Sequence, residues 1–112
     1  MTKTLKNLQN KNYSVKDMNT QTAEIKDKVV NILKKHDVKK AAFFGSIVRN
    51  ELTEKSDIDV LVQFNGRKSL LDLAGLKIDL EDSLHRKFDV LTYNSIYPPL
   101  REQILGEQEV IL

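Results

Sequence analysis

Apolar positions recur along this chain with two different periods. Between about Asn19 and His36, the residues Ile25, Val29, Ile32, Leu33 and His36 are spaced i, i+4, i+7, i+8 and i+11, one face of an amphipathic helix introduced by Asn and Thr. The run Val38–Phe44 then becomes continuously apolar and stops at Gly45, as a buried strand does before a turn. A short helix is expected from Ser46 to about Glu51. The stretch Asp57–Phe64 is rich in β-branched residues, closes on the turn dipeptide Asn65-Gly66 and reads as the central strand. Ser69 is placed to cap a long helix through about Arg86, whose Leu70, Leu71, Leu73, Ala74, Leu76, Ile78, Leu80 and Leu84 cover a wide arc against a sheet. Phe88–Thr92 reads as a third strand. Pro98 and Pro99 suit the opening of a last short helix with Gly106 at its end, followed by an extended tail at Glu109–Leu112.

The resulting order, α-β-α-β-α-β-α, belongs to the α/β class (α+β), with a small sheet flanked by helices. In residues 1–18 the apolar positions are too thin to bury a helical face, and we expect a flexible basic arm there and one domain over residues 19–112. A chain of 112 residues, 40% hydrophobic and 30% charged, suits one compact domain. No apolar run approaches the roughly 20 residues needed to span a bilayer, and Met1–Thr20 lacks the apolar core of a signal peptide, so a cytoplasmic protein without membrane contact is expected.

Charge divides unevenly along the chain. Residues 1–40 hold ten Lys against four acids, and residues 41–112 hold eight basic against twelve acidic groups. Apart from Tyr13, no aromatic residue interleaves with the early lysines, so we read them as a solvated surface and not as a nucleic-acid site. The absence of Cys excludes disulfides, zinc–thiolate sites and thiol nucleophiles, and two isolated His cannot build a multi-histidine centre. A metal would have to sit on carboxylates.

The sequence supplies such carboxylates. Alternation along a strand puts Asp57 and Asp59 on one face and Ile58, Val60, Val62 and Phe64 on the other. Asp89 joins them if the third strand lies beside Asp59. Three acids on one patch repel unless a cation neutralises them, and the hard, oxygen-seeking Mg²⁺ fits an all-oxygen donor set. At Gly45-Ser46 the backbone can approach a phosphate, the N–H groups that open a helix supply donors, and the Ser46 hydroxyl adds another. Arg49, one turn on, can offer its fork to a phosphate oxygen.

Together, Gly45-Ser46, Arg49, Ser56-Asp57-Ile58-Asp59-Val60 and Phe88-Asp89-Val90 resemble the signature of the nucleotidyltransferases related to DNA polymerase beta. The small size and the Leu-Arg-Glu-Gln-Ile-Leu segment at 100–105 make the chain similar to the minimal, MntA-type branch of that family. Asn50 stands where family members often have Gly, and Ile47 and Val48 stand where they have small or aromatic residues.

The resemblance implies a small mixed β-sheet of the polymerase-beta-like fold. It also implies transfer of a nucleotidyl group: two Mg²⁺ ions on Asp57, Asp59 and Asp89, and an acceptor hydroxyl attacking the α-phosphate of ATP while pyrophosphate leaves. Gly45, Ser46, Arg49 and Ser56 are the expected nucleotide-binding residues. The implied partner is a helical HEPN-type ribonuclease toxin, neutralised by addition of AMP to a toxin tyrosine. Two other readings stay open at this point: transfer to a small-molecule hydroxyl such as an aminoglycoside, and a non-catalytic antitoxin that acts by binding. Assembly as a homo-oligomer or hetero-oligomer is also left open.

Overall fold

A computed structural model describes the backbone of residues 13–112 and the side chains from residue 22 onward. Its elements are α1 (Tyr13–Lys35), β1 (Val38–Phe44), β2 (Ile58–Phe64), α2 (Leu70–Leu84), β3 (Phe88–Thr92), α3 (Pro98–Glu107) and β4 (Glu109–Val110). The first helix begins at Tyr13, six residues before the expected start, so it takes in positions 13–18 of the expected arm. The rest of that arm, residues 1–12, lies outside the described residues.

The four strands form one mixed sheet in the order β3-β2-β1-β4. β1 runs antiparallel to β2 and to β4, whereas β2 and β3 are parallel. The parallel pair needs a crossover, and α2 provides it. The tail expected to be extended is β4, which hydrogen-bonds along the free edge of β1. Beyond it, the Leu112 carbonyl accepts from the Ala41 N–H at 3.0 Å.

The sheet has a different cover on each face. On one side Val38, Ala41, Phe43, Ile58, Val60 and Val62 pack with Ile25, Val29, Ile32 and Leu33 of α1 and with Leu76 and Leu80 of α2. On the other, Phe44 and Leu61 meet Ile96, with Ile104 and Leu105 of α3 packed against them. Leu61, at an odd position of β2, is thus buried as completely as Val60 and Val62, because α3 covers that face further along the strand. Asp59, two residues before Leu61, emerges on the same face where the cover ends.

Three local expectations are corrected. The arc of α2 that meets the core is narrower than its leucine content suggests: Leu76 and Leu80 are buried, but Leu70, Leu71 and Ile78 are 82%, 83% and 58% exposed. A helix lying on a sheet and one neighbouring helix buries only the side chains within one stripe. The helix expected at Ser46 is a single 3₁₀ turn, Gly45–Ile47. Gly106 lies inside α3, which ends at Glu107.

The start of α2 is built as expected. Ser69 accepts from the Asp72 N–H at 3.3 Å while the Ser69 N–H donates to the Asp72 carboxylate at 2.8 Å, a reciprocal capping box. His36, at the end of α1, reaches Asp79 of α2 at 2.9 Å and ties the two helices together.

Candidate active site

Strand register assembles the site. Phe44, the last residue of β1, lies opposite Asp59, and Asp59 lies opposite Asp89 across the parallel pair. The end of β1 and the beginnings of β2 and β3 therefore share one edge of the sheet, with the Gly45–Ile47 turn leaving from it. Asp57 stands one residue ahead of β2 and is exposed, as is Asp89, whereas Asp59 is half-buried.

Gly45 and Asp59 touch so closely that only glycine fits. Gly45 has φ +76°, a left-handed conformation, and a Cβ at this position would stand 2.2 Å from Asp59 Oδ2. Backbone freedom and lack of bulk are both required here. Asn50, at the position where family members often have Gly, also has a positive φ of 58°. Asn tolerates that region better than other residues with side chains.

The electrostatics follow from this crowding. Burial first, and then the negative fields of Asp89 and Asp57, raise the Asp59 carboxyl from 3.8 to about 6. Arg49 pulls in the opposite direction, and Glu107 adds a smaller upward push. Among the described residues, no three His, Cys, Asp or Glu side chains gather closely enough to hold a metal ion by themselves. Asp57, Asp59 and Asp89 thus line a shared negative patch and not a closed cage. An all-carboxylate set of this kind suits a hard cation that fills most of its shell with water and substrate oxygens, as Mg²⁺ does.

The remaining sequence-predicted residues occupy different surroundings. Ser46 is half-exposed on the turn, and its carbonyl accepts from the Glu51 N–H at 2.9 Å. Arg49 is exposed and forks between two acids: its Nε donates to Glu51 at 3.0 Å, and its Nη1 donates to both Glu107 oxygens at 3.3 and 3.2 Å. Ser56 turns inward on its own loop, where its hydroxyl accepts from the Thr53 N–H at 3.0 Å and pairs with the Thr53 hydroxyl at 3.0 Å. It shapes the approach to Asp57. Arg86 braces the same loop by donating to the Thr53 carbonyl. Beside Asp57 opens a cleft of about 480 Å³ whose walls include Lys55, Ser56, His85, Arg86 and Lys87.

Sequence reasoning missed Glu107. Besides its pair with Arg49, Glu107 accepts a hydrogen bond from the Gly45 N–H at 3.1 Å. The two residues are 62 positions apart, and no spacing rule connects them. Only the return of the chain from α3 to the edge of β1 brings them together.

The family profile described as "Polymerase beta, Nucleotidyltransferase" matches residues 27–112. A protein of Methanocaldococcus jannaschii, "Putative protein adenylyltransferase MJ0435", is 56% identical over 89 residues, covering 80% of this chain and 96% of that protein. A solved structure described as "Structure of putative minimal nucleotidyltransferase" superposes with a TM-score of 0.69 at 36% identity, covering 82% of this chain and 93% of that one. The fold is shared more distantly with an MNT antitoxin solved in complex with a tri-AMPylated HEPN toxin of Shewanella oneidensis. There the TM-score is 0.65 at 17% identity, with 81% and 71% of the two chains covered.

The chain therefore belongs to the polymerase beta nucleotidyltransferase family. Within it, the chain falls in the minimal nucleotidyltransferase branch, and its enzymatic class is that of a nucleotidyltransferase.

Proposed function

We propose that this protein is a Mg²⁺-dependent protein adenylyltransferase that transfers AMP from ATP to a tyrosine hydroxyl of a HEPN-type ribonuclease toxin, and so acts as its antitoxin. The observation that carries this reading is the packing of the Asp59 carboxylate on the Gly45 turn, opposite Asp89. It joins a cation-seeking patch to a backbone turn that can face phosphates. The M. jannaschii relative supports the adenylyl group by its name, and the Shewanella complex supports a HEPN toxin as the partner.

Each residue has a definite task in this reading. Asp57, Asp59 and Asp89 would hold the Mg²⁺ ions together with water and phosphate oxygens. When bound, the ions neutralise charge on the attacking and departing oxygens of an in-line displacement. The turn N–H groups, the Ser46 hydroxyl and the Arg49 guanidinium orient the β- and γ-phosphates, with charge-assisted hydrogen bonds as the main attraction. Ser56 holds the loop that carries Asp57. The partner brings the acceptor tyrosine to the acidic edge.

The test is intact mass spectrometry of a HEPN-type toxin incubated with this protein, Mg²⁺ and each of the four ribonucleoside triphosphates in turn. A mass increase of one or more AMP units with ATP is expected for the wild type and none for the Asp57→Asn, Asp59→Asn double variant. Neutralisation of the toxin by the double variant, without any mass increase, would replace this reading by one of inhibition through binding alone.

A further inference from the structure

We propose that Glu107 is an internal occupant of the phosphate seat, and that a nucleoside triphosphate enters by displacing it. This rests on the reading that Gly45 and Arg49 receive the phosphates. Both donors already hold an anion: the Gly45 N–H donates to Glu107 Oε1 at 3.1 Å, and Arg49 Nη1 donates to the two Glu107 oxygens at 3.3 and 3.2 Å. A carboxylate and a phosphate accept charge-assisted hydrogen bonds from the same kinds of donor, so one N–H cannot serve both at full strength. The two anions must exchange.

The fold delivers Glu107 to this place. It is the last residue of α3, and two residues later Glu109 pairs with Phe43 while Val110 pairs with Ala42. That register fixes the backbone beside the turn, and the three rotatable bonds of a glutamate side chain allow the carboxylate to withdraw without moving the strand. The seat also adjoins Asp59, whose Oδ2 lies against Gly45. Glu107 therefore keeps a further negative charge beside the three acids of the metal-seeking patch for as long as no nucleotide is bound. Departure of Glu107 makes binding weaker than the donors alone would permit, and it lets a triphosphate be distinguished from ligands that carry no competing charge.

The experiment is isothermal titration calorimetry of the full chain with inorganic tripolyphosphate at fixed free Mg²⁺, comparing wild type, Glu107→Gln and Glu107→Ala. Adenosine serves as a ligand without phosphates. Removing the internal charge is expected to tighten tripolyphosphate binding by about tenfold, the equivalent of losing one charge-assisted competitor, and to leave adenosine unchanged. Circular dichroism melts establish that each variant is folded, and the alanine variant stands in if the glutamine variant is not. Equal or weaker tripolyphosphate binding by a folded variant would overturn the proposal and make Glu107 a brace for Arg49. No tripolyphosphate binding by any of the three proteins would instead remove the nucleotide reading itself, and the proposal with it.

Discussion

Replacing Asp59 by Asn should make the metal-free protein more stable at pH 8 while destroying its activity. In the folded chain the Asp59 carboxyl is raised from 3.8 to about 6, mainly by burial and by Asp89 and Asp57. At about 1.36 kcal/mol per pKa unit, the charged carboxylate would cost about 3 kcal/mol as an upper bound. Asp59 is only partly buried, so solvent screens the interaction and lowers the cost to about 1 kcal/mol. The folded state binds this proton more tightly than the unfolded state, so the contribution of Asp59 to stability is fully present below pH 3.8 and is lost as pH rises through about 6. The Asn variant lacks this fall.

Thermal melts in a chelating buffer measure the difference. For a chain of this size, a change of about 1 kcal/mol moves Tm by about 4 °C, and the Asn variant should melt higher by that much at pH 8. At pH 4, where the wild-type carboxyl is largely protonated, the gap should nearly close. Adding Mg²⁺ at pH 8 should raise the wild-type Tm and leave the variant's where it was, because the ion relieves the same repulsion. A variant that melts lower than wild type at pH 8, or a gain of equal size at pH 4, would refute the reasoning.

Two other substitutions probe the frame of the site. Gly45→Ala forces a side chain into a left-handed backbone position and onto the Asp59 carboxylate, so it should lose about 1–2 kcal/mol of stability and should abolish nucleotide transfer even where the protein remains folded, as denaturant melts and the AMP-transfer assay will show. Ser69→Ala removes half of the α2 capping box and should lower stability by about 1 kcal/mol in urea titrations, with no effect on transfer, since Ser69 lies in the β2–α2 connection away from the acidic edge.

The correspondence between sequence and structure is closest where local rules apply. Alternation in Ile58–Phe64 placed Ile58, Val60 and Val62 on the face that α1 and α2 bury. The i, i+4, i+7, i+8 spacing of Ile25, Val29, Ile32 and Leu33 picked out the buried face of α1. Ser69 marked the start of α2. In each case the determining interactions lie within a few residues, so the pattern of side chains contains them.

The acidic edge was legible as a list of residues and not as a constellation. A motif raised the expectation that Asp57, Asp59 and Asp89 belong with Gly45 and Arg49, but the opposition of Asp59 to Asp89 and to the end of β1 depends on strand order and register. Those are fixed by packing between segments far apart in sequence. Leu70, Leu71 and Ile78 were misplaced for the same reason: helical period shows that a face is apolar, whereas the neighbours available decide how much of it is covered. Glu107 is the clearest case. Nothing near it in the chain distinguishes it from Glu102, the other acid of the last helix, and its contact with Gly45 exists only because β4 closes the sheet on the outer edge of β1. Sequence alone determined which chemical groups this protein has to work with, because composition and local spacing are properties of the chain. Tertiary structure decided which of those groups share a field and which already hold one another, because that depends on distance in space.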